Sequence, residues 1–233
     1  NVTVMKNHVQ AVIDENAVVQ TLGNIGVTAN QVQAHTVVAG SAAGSTQNAV
    51  GAGAIVYTAE NVVLAQVAGD LAAGNGIDVN AVNDSDLVIT AFAAAASSSN
   101  AISGAIAVVV VNTEVQALVG ETVHIEALGN NASGLSVLAR NNSEITAVDL
   151  GAGASGSTGV GAAIANIFVE KTTVAGVGAG VVVVLPGNVQ VQAEADNDIL
   201  LTTVGFAASG STAAGASIGV ASISGVTEAL LGG

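Results

Sequence analysis

The residues equipped for chemistry are few, and the most suggestive of them recur. The strings "NDSDLVIT" (83–90), "NNSEIT" (141–146) and "DNDILLT" (196–202) place Asp86, Glu144 and Asp198 in one phase. Asp84, Asn142 and Asp196 fall two residues earlier in the same strings. Asn and Asp favour turns, because their side chains bond nearby backbone and tolerate left-handed conformations. The strings therefore read as acidic turns that stack into a ladder. Clustered carboxylates and amides are also the chemistry of calcium, which takes about six to eight oxygen ligands. Each turn supplies only two side-chain groups, and neither the β-roll repeat nor the EF-hand loop is present. The expectation is a set of plain turns with at most weak calcium binding and no other cofactor. With copies two or more rungs apart, roughly 10 Å or more would separate their carboxylates.

Other motifs carry less. Gly151, Gly153 and Gly156 spell G-x-G-x-x-G, the signature of a phosphate-cradling loop. Such a loop opens a helix, whereas here a strand pattern follows and no lysine is near. These glycines read instead as corner or thin-wall residues. "GASIG" (215–219) matches the nucleophile elbow of hydrolases, but no histidine follows Ser217 to act as its base. His8, His35 and His124 share no ligand spacing and read as exposed strand or turn residues. The sequons at Asn1, Asn83, Asn131 and Asn141 are of the kind that Asn-rich turns generate by chance.

Composition narrows the function further. The chain has 17 acidic and 3 basic residues and a formal charge of -14, which argues against nucleic acid and against anionic membrane surfaces. With no cysteine, disulfides, thiol chemistry and cysteine-bound zinc are excluded. Ile199–Thr227 carries no charge, yet it is rich in Gly, Ser, Thr and Ala and has no basic flank, so no membrane insertion is expected. Apolar residues reach 51% and aromatics only 2%, so the core must be thin and aliphatic.

The elements that would position these groups come in copies. "GSTQNAVGAGAIVYTAENVVLAQV" (44–67), "SSSNAISGAIAVVVVNTEVQALV" (97–119), "GSTGVGAAIANIFVEKTTVAGV" (156–177) and "GSTAAGASIGVASISGVTEALL" (210–231) align as four units of about 54 residues. The alignment sets Ile55, Ile106, Ile164 and Ile218 in one phase, and Val115, Val174 and Val226 in another. It also overlays residues 1–12 on 166–177, with Lys6 on Lys171. "NVQVQAEA" (188–195) and "TVHIEAL" (122–128) alternate with period two, which means strands, and runs of valine resist helix. The expected fold is all-β: a parallel β-helix spanning 1–233 as a single array that begins and ends within a repeat. A unit would fill two rungs of short strands, or three small ones.

The unit "A-A-S-G-S-T-x-x-G-A-x-I" followed by a V-x-A-x-V strand (Ala207 to Ile218, then Val226 to Leu230) resembles repeats of very large secreted proteins of Gram-negative bacteria. These are leukotoxin-like and filamentous-haemagglutinin-like adhesins, exported by autotransporter or two-partner routes. The resemblance implies a right-handed β-helix, secreted to the cell surface, serving as a non-catalytic stalk or adhesive rod. Its partner would be a receptor on a host or neighbouring cell. The competing reading is a subunit of an extracellular filament or sheath that stacks end to end on further copies of itself. An enzyme on a β-helix, such as a polysaccharide lyase, lacks the clustered basic and acidic groups that chemistry uses.

Overall fold

The computed structural model describes residues 1–128 and 134–232, so Asn131 lies outside the described residues. Thirteen strands and no helix occur among them. The first coil is β1 (Val2–Ile13), β2 (Val18–Thr21) and β3 (Ile25–Ser45). The second is β4 (Asn48–Val67), β5 (Asp70–Ala73) and β6 (Gly76–Ser97). The third is β7 (Asn100–Val119), β8 (His124–Ala127) and β9 (Gly134–Ser155). The fourth is β10 (Thr158–Val177), β11 (Val182–Val184) and β12 (Asn188–Ser209), and β13 (Thr212–Leu231) opens a fifth. Like strands pair in parallel down the stack. Sheet 1 is β1-β4-β7-β10-β13, sheet 2 the short strands β2-β5-β8-β11, and sheet 3 is β3-β6-β9-β12. The chain is a parallel β-helix.

One unit is one coil, which corrects the expectation of two or three rungs. Side chains that bond between neighbouring coils are 52, 58 or 54 residues apart in sequence. The long strands run for 20 to 22 residues in the complete coils, through the Asn- and Asp-rich strings that read as turns. Those polar residues do not break the strands because they alternate in direction: Asn83 and Ser85 point inward, Asp84 and Asp86 outward.

Two long strands and one short strand give each coil a blade-like section. Sheet 2 closes the wide end, which is packed with larger aliphatics such as Ile25, Leu71, Ile77, Ile125 and Leu135. A middle cluster holds Ile55, Tyr57, Ile89, Val109, Ile145 and Ile167. At the far end the long strands meet in two-residue corners, among them Ser98-Ser99 and Gly156-Ser157, over an interior of Ala49, Ala95 and Ala101. The sheets nearly touch there. A Cβ on Gly151 would lie 1.9 Å from the carbonyl oxygen of Ala162, and one on Gly205 equally close to that of Ala216. Close approach, rather than phosphate, accounts for the G-x-G-x-x-G string. Gly156 sits at the corner itself, facing the main chain of Ser98.

Register corrects the predicted isoleucine row. Ile106 pairs with Ile164 and Ile164 with Ile218, but Ile106 pairs with Ala54 rather than Ile55. Ile55 is inward and 0% exposed, whereas Ile106 and Ile218 face outward at 45% and 57%. Ile55 belongs to the inward row of Ala107 and Ala165, one residue away from the outward row of Ile106, so a shift of one residue separates them. The valine row fails in the same way: Val115 pairs with Thr173, Val174 with Glu228, and Val226 with Thr172. Lys6 belongs to the outward row of Glu60, Asn112 and Glu170, one residue away from the inward row that holds Lys171. A slip of one residue exchanges the two faces of a strand.

Candidate functional site

Strands β6, β9 and β12 carry the acidic residues singled out above as two rows on the outer face of sheet 3. One row runs Val32, Asp84, Asn142, Asp196 and the other Ala34, Asp86, Glu144, Asp198. Their registers are the phases read from the sequence. Their spacing is not: adjacent coils put neighbours about 4.8 Å apart along each row, in place of 10 Å or more. Asn142 Nδ2 donates to Asp84 Oδ1 at 3.2 Å. Arg140 forks onto Glu194, with Nε and a terminal nitrogen each 2.8 Å from Oε2. Among the described residues no three His, Asp or Glu side chains converge where a metal ion could be held. Asp86, Glu144 and Asp198 form a column of like charges, which sets neighbouring coils against one another.

Behind this face lies a polar seam inside the rod, between the wide-end and middle clusters. Sheet 1 contributes the row Asn7, Asn61, Thr113 and Lys171; sheet 3 contributes Gln31, Asn83 and Asn141. Asn7 Nδ2 donates to Asn61 Oδ1 at 2.9 Å and to Gln33 Oε1 at 2.8 Å. Asn83 Nδ2 donates to Asn141 Oδ1 at 3.1 Å, and Ser85 Oγ to Ser143 Oγ at 3.0 Å. Buried amides stacked in parallel coils bond to their equivalents in the neighbouring coil, which fixes register, although Asn61 Nδ2, Asn83 Oδ1, Thr113 Oγ1 and Asn141 Nδ2 are left without a partner. Lys171 ends the row. Its Nζ donates to the main-chain oxygens of Asn141 at 3.2 Å and Asp196 at 2.6 Å. Burial pulls its pKa down to about 8, with the Asp196 charge opposing.

Asp149 is the second buried charge. It is fully enclosed in the row of Ala91 and Thr203, and neither carboxyl oxygen has a hydrogen-bond partner. Burial pushes its pKa up to about 6, offset in part by the dipoles of nearby main-chain N–H groups at Ile164, Ala107 and Leu150, none of which completes a hydrogen bond to it. No sequence motif includes Asp149, and Lys171 stands in the sequence only as the residue aligned with Lys6. Their signals were there: Asp149 is the one charge in 146–168, and Lys171 has the opposite parity to its neighbour Glu170.

The remaining candidates stay apart. His124 stands 3.7 Å from Glu126 on the short strand β8. His35 corrects its assignment as exposed: it points inward, half-buried, with its ring 6.4 Å from that of Tyr57. Ser217 lies on β13 in the row of Ala163 and Ala105, with no histidine in that row. Exposed Lys6 pairs with Glu60 at 2.8 Å. This contact raises the lysine pKa and lowers that of the carboxylate. Comparison with protein-family models, with curated proteins and with solved structures finds no match to this chain.

Proposed function

We propose that the chain is a non-catalytic structural and adhesive segment of a secreted bacterial surface protein, a stalk or adhesive rod. The observation that carries this reading is the ladder itself. Four coils of nearly one cross-section stack in strict parallel register, and their chemistry-bearing side chains stand in rows along the rod. Rows suit repeated contacts along a surface, whereas catalysis needs different groups gathered around one reacting atom. The partner in this reading is a receptor on a host or neighbouring cell. A specific observation favours the filament subunit as the second reading. Every coil pairs with the next through the same parallel register in sheets 1 and 3, a contact that a further copy stacked end to end would repeat.

The experiment couples bead adhesion with electron microscopy. Beads coated with the chain should bind cells of at least one host or bacterial type, and isolated molecules should be short rods. Filaments of indefinite length favour the second reading. Substrate turnover by the chain, lost on a single substitution such as Ser217→Ala or His124→Ala, overturns both.

A further inference from the structure

Charge is unevenly distributed across the blade. The stretches 36–58, 88–110, 146–168 and 200–222 contain no Asp, Glu, Lys, Arg or His except Asp149, which is buried. These are the halves of the long strands nearest the sharp corner. They form a fin whose interior narrows from the middle cluster of Ile55, Tyr57, Ile89, Val109 and Ile167 to alanine at the corner, and whose outside is largely apolar. The wide half alternates apolar and polar, as a sheet with one wet face does. The fin half is apolar at both parities, which is the pattern of a parallel sheet covered on both faces.

On sheet 1 the outer relief of the fin is regular. Ile106, Ile164 and Ile218 form a ridge along the rod axis. Beside it runs a furrow of the smallest residues, Ala52, Gly104, Ala162 and Ala216. Beyond the furrow a second ridge includes Ile102, 49% exposed. Ridge and furrow are parallel and have the same spacing, so the face is complementary to itself.

We infer that two copies of this chain pack sheet 1 to sheet 1 through their fins, the isoleucine ridge of each lying in the alanine–glycine furrow of the other. Four strands and about five outward residues on each give a face of roughly 600 Å². Two such faces bury roughly 1,200 Å², the lower bound of a stable specific interface. The arrangement is isologous, as two-fold dimers are. Charge allows it, because the exposed acidic groups of a strongly anionic chain lie in the wide half, and Asp149, the one acid of the fin, is buried clear of the contact. A lipid bilayer fits less well. The fin ends in hydroxyl and amide side chains at Ser98, Ser99 and Asn100, and its border strands would leave backbone groups unpaired in hydrocarbon.

The test is sedimentation velocity across a concentration series, run beside flotation with phosphatidylcholine vesicles. The wild-type chain should be dimeric and should stay off the vesicles. Gly104→Leu is the selective variant: a Cβ there meets nothing within 4 Å, so the monomer folds unchanged while the furrow is filled. Gly104→Leu and Ile164→Glu should each weaken dimerisation at least tenfold with circular dichroism unaltered. Leu200→Glu, on the outer face of sheet 3, should leave the dimer intact. A chain monomeric at every soluble concentration overturns the inference, as does a dimer indifferent to Gly104→Leu and Ile164→Glu. Vesicle binding lost in those two variants would assign the fin to lipid instead.

Discussion

Lys171 Nζ reaches the carbonyl oxygen of Asp196 at 2.6 Å from inside the rod, while the Asp196 carboxylate stands on the outer surface. The lysine is thus held by a main-chain dipole and meets its nearest acid only through the sheet. Its pKa falls from 10.5 to about 8 in the folded state. The fold therefore binds fewer protons than the unfolded chain between those values. The resulting penalty, about 3 kcal/mol, is fully present below pH 8 and is relieved as pH rises toward 10.5. Denaturant titrations should show stability increasing over that window. Lys171→Met should abolish the increase.

Asp149 has the opposite sign. Its folded pKa of about 6 lies above its ordinary 3.8, so the folded state holds the proton more tightly. That contribution is complete below pH 3.8 and is lost as pH rises through 6, at a cost of about 3 kcal/mol at neutral pH. Asp149→Ala, matching Ala91 in the neighbouring coil, should stabilise the protein at pH 7 and flatten the profile between pH 4 and 7. An unchanged midpoint in urea at pH 7 would mean that the carboxyl is not enclosed.

Thr122 occupies the left-handed region at φ 60°, where a β-branched side chain is strained. In the next coil the same corner holds Gly180 at φ 69°, two residues ahead of the paired His124 and Val182. Thr122→Gly should therefore raise stability by up to about 1 kcal/mol, the relieved strain exceeding glycine's added entropy in the unfolded state. Thermal melting of the single variant checks it.

The glycines of the fin divide into two classes. Gly151→Val and Gly205→Val drive a side chain into facing main-chain carbonyls, and each should cost more than about 3 kcal/mol or prevent folding. Gly44→Ala meets open space and should be neutral within about 0.5 kcal/mol. A comparison of melting temperatures separates the classes.

The carboxylate column predicts a salt effect. Glu144 stands between Asp86 and Asp198 in adjacent coils. Glu144→Gln should stabilise by about 0.5 kcal/mol in low salt, and the gain should shrink in high salt as screening sets in.

The sequence made the parallel β-helix legible, because valine-rich strands with small interior residues recur at a period that a stack of coils requires. It also placed Asp86, Glu144 and Asp198 in register, since alternation in 76–90 and 188–198 sets the phase of their strands. It failed where alternation stops. Around Ile55 and Ile106 both faces are apolar, so a one-residue slip leaves no trace in the pattern, and inward Ile55 was matched with outward Ile106. Rung number failed for a related reason. Asn and Asp normally mark turns, but Asn83 and Asn141 bond across coils inside the rod, a contact that only the stacked fold creates. Lys171 and Asp149 were hidden because parity, rather than residue type, decides which way a charge points.

The long coil has a mechanical consequence. A turn of the helix stores 52 to 58 residues yet adds only about 4.8 Å to the length of the stack. Drawn taut, that many residues span roughly 180 Å. Tension applied along the axis would act on the parallel ladders between neighbouring coils. The molecule under load is a spool, in which each coil released gives far more length than it held when wound.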